Sequence, residues 1–346
     1  MKYKLLGHSG MKVSELCLGA MTFGEVWGWG ADKKESGRIF DTFIEAGGNF
    51  IDTANRYTNG TSEEYIGEFI RDMRQKIVLA TKYTLFMDHG DPNSAGNSRK
   101  NMVQALENSL KRLNTDYVDL YWLHAWDYLT PVDEVMRAFD DMISSGKVLY
   151  IGISDTPAWI VSRANTLAEL RGWNRFVGLQ IEYSLIERTV ERELLPMARA
   201  FDMAVTPWGT MGGGVLTGKY SKLKKDSEPT RYKEGEPVSR INERNLAIAD
   251  EVVRISEELG CTPSQVAINW VRQQPGLIIP IIGARTADQL SDNLSCLEVP
   301  LPDDKLQRLN DISAVEPGFP HEFLKRDFIK DILYSGQYDN IENHRV

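Results

Sequence analysis

The chain has 346 residues, 42% of them hydrophobic and 26% charged, which is enough apolar material for a large buried core and excludes a disordered or fibrous chain. A formal charge of −9 argues against broad binding to nucleic acid or anionic membranes, so neither is an expected partner and any positive site must be local. Three cysteines, Cys17, Cys261 and Cys296, have no CxxC spacing and no nearby histidine; they read as free thiols in a reducing compartment, not as a disulfide framework or zinc site.

The opening MKYKLLGHSGMKVSE contains no apolar stretch of signal-peptide length, and no later segment approaches ~18 apolar residues, so a cytoplasmic location is expected. The same opening reads as a short hairpin turning at Ser9 and Gly10. Strand candidates then follow in order: SELCLG (14 to 19), NFIDT (49 to 53), IVLATK (77 to 82), VDLYWLH (118 to 124), VLYIGIS (148 to 154), FVGLQIEY (176 to 183), MAVTPW (203 to 208) and LIIPIIG (277 to 283). Helical periodicity separates them: Val103, Leu106, Leu110 and Leu113 fall on one face, as do Leu246, Ala249, Val253, Ser256 and Leu259. Apolar strands that read as runs, each followed by an amphipathic helix, predict an α/β fold, a (β/α)8 TIM barrel spanning residues 1–346 as one domain. Two segments exceed the barrel's needs: a Gly- and Lys-rich stretch (209 to 237), read as a functional flap or a disordered stretch, and a tail from about 313, whose aromatics predict an ordered segment folded over the barrel mouth.

Four residues stand at the carboxyl ends of these strands: Asp52 and Tyr57 in FIDTANRY, Lys82 in IVLATK and His124 in VDLYWLH. Singly, each has a structural reading: a helix cap, a wall residue, a solvated cation, a core-edge histidine. In a parallel barrel, however, that edge gathers residues from distant positions into one site. Together the four make an acid relay. A lysine ammonium beside a tyrosine favours the phenolate and makes the phenol a stronger acid, Asp52 anchors the ammonium, and His124 hydrogen-bonds the substrate oxygen.

At this point the sequence resembles the aldo-keto reductases, NAD(P)H-dependent carbonyl reductases with an Asp, Tyr, Lys, His tetrad in this order. GISDTPAW (152 to 159), LQIEYSL (179 to 185) and IIGART (281 to 286) extend the likeness over nearly the whole chain, and HAWDY (124 to 128) with the FPHEFL tail resembles the aryl-alcohol dehydrogenase-like branch. In that family the hairpin plugs the barrel bottom.

No G-x-G-x-x-G or P-loop pattern occurs, because Thr217 stands where the third glycine after Gly212 and Gly214 belongs; a dinucleotide must bind barrel loops. In IPIIGARTADQLSDN (279 to 293), Thr286 and Gln289 form a T-x-x-Q capping box that starts a helix beside Arg285, and free backbone N–H groups with one guanidinium suit a phosphate monoester. The resemblance implies NADPH/NADP+ here, with the 2′-phosphate at Arg285, Gln289 and Asn293. It also implies the nicotinamide carboxamide at Ser154, Asp155 and Gln180, and Tyr183 stacked on the ring. Further cofactor contacts are expected from Met21, Asp52, Pro207, Trp208, Gly209, Gly214, Leu216, Lys219 and Gly283. Asp155 departs from the family's usual asparagine, since an ionised carboxylate accepts but does not donate. Lys219 either meets a phosphate or is solvated.

Trp27, Trp29, Trp126 and Trp208, closed over by Phe319 and Phe323, are the expected substrate pocket; aromatic walls suit aryl carbonyl compounds, although tryptophan also stacks on sugars. The expected function is therefore NADPH-dependent reduction of a small carbonyl substrate. Two rivals remain: a cofactor-binding interaction barrel, like the potassium channel β subunits that resemble this family, and a metal-dependent hydrolase. His8, His89, His124, His321 and His344 show no metal-ligand spacing, so no metal is expected. Oligomeric state has no signature in the sequence.

Overall fold

A computed structural model describes residues 1–220 and 240–343. Most of the predicted 209–237 segment, from 221 on, and His344 lie outside these. The strands are β1 (Tyr3–Leu5), β2 (Lys12–Ser14), β3 (Cys17–Gly19), β4 (Phe50–Asp52), β5 (Val78–Tyr83), β6 (Val118–Leu123), β7 (Val148–Ser154), β8 (Phe176–Glu182), β9 (Ala204–Trp208) and β10 (Ile281–Ile282). β3 to β10 pair in parallel in the order β10-β3-β4-β5-β6-β7-β8-β9. Val205 closes the ring: its N–H donates to Leu277 O and its carbonyl accepts from Ile279 N, both at 2.8 Å. This is a (β/α)8 barrel with each predicted strand in place.

The eighth strand is shorter than LIIPIIG implied. Pro280 has no N–H to offer the ladder, so regular pairing begins only at Ile281. The predicted helix stripes are largely buried, Leu106, Leu110 and Leu113 in one helix and Ala249, Val253 and Ser256 in the other, and each buried face is wider than the stripe. In Arg99–Leu113 Met102 joins the buried face and Val103 stands at its edge; in Glu243–Leu259 Ile248, Val252 and Ile255 join it, with Leu246 and Leu259 half-buried at its edges.

Inside the barrel, Cys17, Phe50, Val78, Leu120, Trp122 and Ile279 pack into one cluster. The Trp122 ring occupies space that β7 and β8 leave by carrying glycine: a Cβ on Gly152 would lie 2.2 Å from it, and one on Gly178 2.8 Å. The β1/β2 hairpin caps the amino-terminal end, where Leu6 and Val13 join this cluster. Gly7, at φ +53°, lies so close to Val177 O that any side chain would clash, so the turn seats directly on the strand starts.

The tail is ordered through residue 343 and meets the opposite rim: Arg188 donates to Asn310 O and Ser313 Oγ, Arg192 to Glu316 O, and His321 Nε2 lies 2.9 Å from Glu193. Its aromatics Phe319 and Phe323 are exposed. Phe319 is 84% exposed and its ring pairs with Phe323, 6.0 Å away, instead of with the tryptophans.

Candidate active site

β4, β5 and β6 deliver the tetrad. Lys82 is fully buried, and its Nζ donates to Asp52 Oδ2, to Thr53 O at 2.8 Å and to the Tyr57 hydroxyl at 3.2 Å. Asp52 Oδ1 accepts from Gln180 Nε2 at 3.1 Å, so the anchor is held from both sides. The Tyr57 ring stands edge-on to His124, centroids 5.8 Å apart. The four residues that the sequence put at strand ends thus converge.

Their electrostatics amend the predicted relay. Burial raises the Tyr57 phenol above its ordinary value; Lys82 pulls it down but does not prevail, so the phenol stays protonated well past neutrality. Burial works against the Lys82 ammonium, but the Asp52 charge, with the hydrogen bonds to Asp52 and Tyr57, outweighs it and holds the lysine above its usual value. Burial, then the Lys82 charge, drives His124 well below its usual range, so its imidazole is neutral. The ammonium here aligns and polarises a neutral phenol more than it ionises it.

A second layer, unread in the sequence, supports this arrangement. Thr84, two residues past Lys82, is held at φ +100°, a region a β-branched residue rarely enters. Its hydroxyl accepts from His124 N at 3.3 Å and from Asn97 Nδ2 at 3.0 Å. Asn97, fully buried, also donates its Nδ2 to Ala125 O at 2.9 Å and exchanges backbone–side chain bonds with Asp127, from Asn97 N to Asp127 Oδ2 at 2.7 Å and from Asp127 N to Asn97 Oδ1 at 2.8 Å. The loops after β5 and β6 are thereby clamped together below the histidine. A threonine after a strand carries no sequence sign of such a backbone, though the Gly96-Asn97 pair marks a turn.

The expected cofactor residues divide. Ser154 Oγ, His124 Nδ1 and Asn55 Oδ1 are buried at the carboxyl edge with no hydrogen-bond partner among the described residues, which fits a polar ligand group presented there. Asp155, at φ +39°, accepts from Trp208 Nε1 at 3.1 Å. Tyr183 does not line this edge: it is 1% exposed, its ring packs on Trp270 and its hydroxyl donates to Glu191 at 2.7 Å. Strand alternation explains this, since Gln180 points into the barrel and a residue three further on faces the other way. Trp208 shares the inward parity of Ala204 and ends β9 half-buried. Gly209, Gly212, Gly213 and Gly214 all have positive φ, which makes a tight backbone cradle. Lys219 folds across Gly214, where a Cβ would lie 3.0 Å from its Cε, so it is tied to this loop. Leu216 is fully buried and offers only its backbone, and Pro207 is buried in β9. Met21 stands half-buried just after β3.

At the predicted phosphate site Arg285 is exposed before the helix Ala287–Leu294. Thr286 Oγ1 caps Gln289 N at 3.2 Å as expected, but Gln289 Oε1 reaches back to Arg285 N, 3.0 Å, and Asn293 Nδ2 to Gly283 O, 3.3 Å; both shape the loop. The helix N–H groups are not all free, because Glu35 accepts from Ala287 N at 2.7 Å. Around the mouth, Trp27 and Trp29 pack together, 5.8 Å between centroids, and Trp126 is half-buried with its backbone N–H on Asp155 O at 3.4 Å. No described helix is long and apolar enough to cross a membrane.

Comparison with known proteins agrees with this geometry. Residues 15–314 match the model of the aldo/keto reductase family. An aryl-alcohol dehydrogenase [NADP(+)] of Phanerodontia chrysosporium is 37% identical over 95% of this chain and 91% of its own length. Norsolorinic acid reductase B of Dothistroma septosporum is 38% identical over 91% and 82%, and a putative aryl-alcohol dehydrogenase of Saccharomyces cerevisiae 36% over 92% and 88%.

Proposed function

Since the chain belongs to the aldo/keto reductase family, and so is an oxidoreductase of carbonyl and alcohol groups, we propose that it reduces aldehydes and ketones with NADPH, Tyr57 giving the proton. The observation that carries this reading is the fully buried Lys82 ammonium held between Asp52 and the Tyr57 hydroxyl. Ser154 and Gln180 suit the carboxamide of NADPH, the 209–214 glycines its pyrophosphate, and Arg285 its 2′-phosphate. NADPH held by these residues would supply the hydride for the carbonyl carbon.

The residues of the chain handle the other half of the reaction. Neutral His124 hydrogen-bonds the carbonyl oxygen and orients it toward Tyr57. As negative charge grows on that oxygen, the Tyr57 O–H bond breaks and the proton moves to it, giving the alcohol. Lys82, 3.2 Å away, stabilises the phenolate left behind, and Asp52 with Thr53 O keeps the ammonium aimed. Buried surroundings strengthen each of these contacts relative to water.

Aryl aldehydes are the favoured substrates, because Trp27, Trp29, Trp126 and Trp208 offer apolar area worth roughly 25 cal/mol per Å2 to a planar ring. A sugar leaving water would need more polar partners than this mouth offers. NADPH consumption tested over aromatic aldehydes, short aliphatic aldehydes, methylglyoxal and sugars should give benzaldehydes a higher kcat/KM than glucose or xylose. A sugar that outperforms them removes the aryl preference; no carbonyl-dependent consumption with any of them contradicts the reductase reading.

A further inference from the structure

Beside the general acid lies a cation that the proton relay does not use. Arg56 precedes Tyr57, is half-buried, and makes no ion pair among the described residues: its Nη1 donates to Asn59 Oδ1 at 2.6 Å and its guanidinium carbon lies 4.3 Å from the centre of the Phe86 ring. Comparably buried arginines of this acidic chain pair with carboxylates instead, among them Arg74 with Asp119 at 2.8 Å and Arg112 with Glu63 at 2.7 Å. Arg56 is also preset. Asn59, at φ +57°, holds one nitrogen, and Phe86, from the loop after β5, lies against the guanidinium.

A planar guanidinium fixed on one edge and one face still offers its other N–H groups as a fork, the geometry that takes a carboxylate by two parallel hydrogen bonds. The Phe86 ring beside it is 39% exposed and extends the platform with an apolar surface at the rim. The acidic side chains at the mouth are engaged: Asp155 accepts from Trp208 Nε1, and Asp127 from Asn97 N, Leu129 N, Thr130 N and Thr130 Oγ1. A negatively charged substituent would therefore be drawn to the Arg56 side of the mouth, where Tyr57 also rises.

We propose that Arg56 and Phe86 form a substrate subsite for a carboxylate carried on an aromatic ring, so that aryl aldehydes bearing a ring carboxylate are preferred over their neutral counterparts. This rests on the reductase reading and narrows its substrate class.

The test measures kcat/KM with NADPH for 4-formylbenzoate and for its methyl ester, in the wild type, Arg56→Gln and Arg56→Lys. The wild type should prefer the carboxylate. In Arg56→Gln the carboxylate-to-ester ratio should fall at least tenfold, through KM; Arg56→Lys, which keeps charge but loses the fork, should fall between. An unchanged ratio in Arg56→Gln, or a wild type that prefers the ester, overturns the subsite. Terephthalate and its dimethyl ester, titrated by tryptophan fluorescence in the presence of NADP+, read the subsite without turnover. A terephthalate preference lost in Arg56→Gln supports it even if neither aldehyde is reduced, in which case the reductase reading alone fails; equal ratios in both proteins overturn it.

Discussion

The indole Nε1 of Trp208 donates to Asp155 Oδ1 at 3.1 Å and so ties the end of β9 to the end of β7 across the open edge of the barrel. Burial raises the Asp155 carboxyl above its ordinary value, while Trp208 and then Lys82 favour its ionised form. Its backbone, at φ +39°, is one that asparagine tolerates as well as aspartate does. Asp155→Asn should thus keep the Trp208 bond through its amide oxygen and gain a donor. NADPH affinity, followed by fluorescence titration, should be equal or improved, and a loss beyond about threefold would show that the carboxylate itself is needed.

Arg285 is exposed and its backbone N–H is already held by Gln289, so only its side chain is left to read a phosphate. Arg285→Ala should weaken NADPH more than NADH, by about 1.5 to 3 kcal/mol for a lost charge-assisted contact. Equal weakening of the two cofactors, measured by the same titration, would remove Arg285 from 2′-phosphate recognition.

Thr84 acts through His124. Thr84→Val keeps the branched shape but leaves His124 N and one Asn97 N–H without their acceptor, at a cost of about 1 to 3 kcal/mol in stability. Because the histidine's position is what changes, kcat should fall about tenfold or more while NADPH affinity holds, and Thr84→Ser should restore most of the rate. If Thr84→Ser is as slow as Thr84→Val, the hydroxyl is not the group that matters.

The pH dependence follows from two shifts of opposite sign. Reduction needs Tyr57 protonated; its pKa is raised above 10.0, so the active form is present below that value and is lost only as pH rises through it. Reduction also needs His124 in one state, and with its pKa depressed well below 6.5 it is neutral throughout the upper range. At saturating substrate, kcat for reduction should be flat from about pH 7 to about pH 10. A fall centred near pH 8 would mean that Lys82 ionises the phenol after all.

Much of this was legible because a barrel strand is covered on both faces: each of the eight reads as an apolar run, and the chemistry-bearing residue sits where the run stops, as Asp52, Lys82 and His124 do. Tyr183 was misplaced although its position could be read, since three residues beyond an inward Gln180 the side chain must point outward. Phe319 and Phe323 could not be placed, because a tail beyond the last βα unit has no periodic partner to fix which way it faces. Thr84 and Asn97 were illegible for a different reason: their role depends on a positive φ and on contacts to the loop after β6, 30 and 40 residues away in sequence, neither of which composition or period encodes.

The most direct test of the relay is single-turnover reduction of benzaldehyde by Tyr57→Phe and Lys82→Met, with NADPH affinity measured on the same preparations. Tyr57→Phe removes the hydroxyl, with its transferable proton and its bond from Lys82, and keeps the ring against His124; Lys82→Met removes the ammonium 3.2 Å from the hydroxyl. Both should bind NADPH within a few-fold of wild type and lose roughly 10² to 10⁴ in rate, the range expected for a positioned general acid. A Tyr57→Phe rate within tenfold of wild type, at unchanged NADPH affinity, would contradict the assignment of Tyr57 as the proton donor.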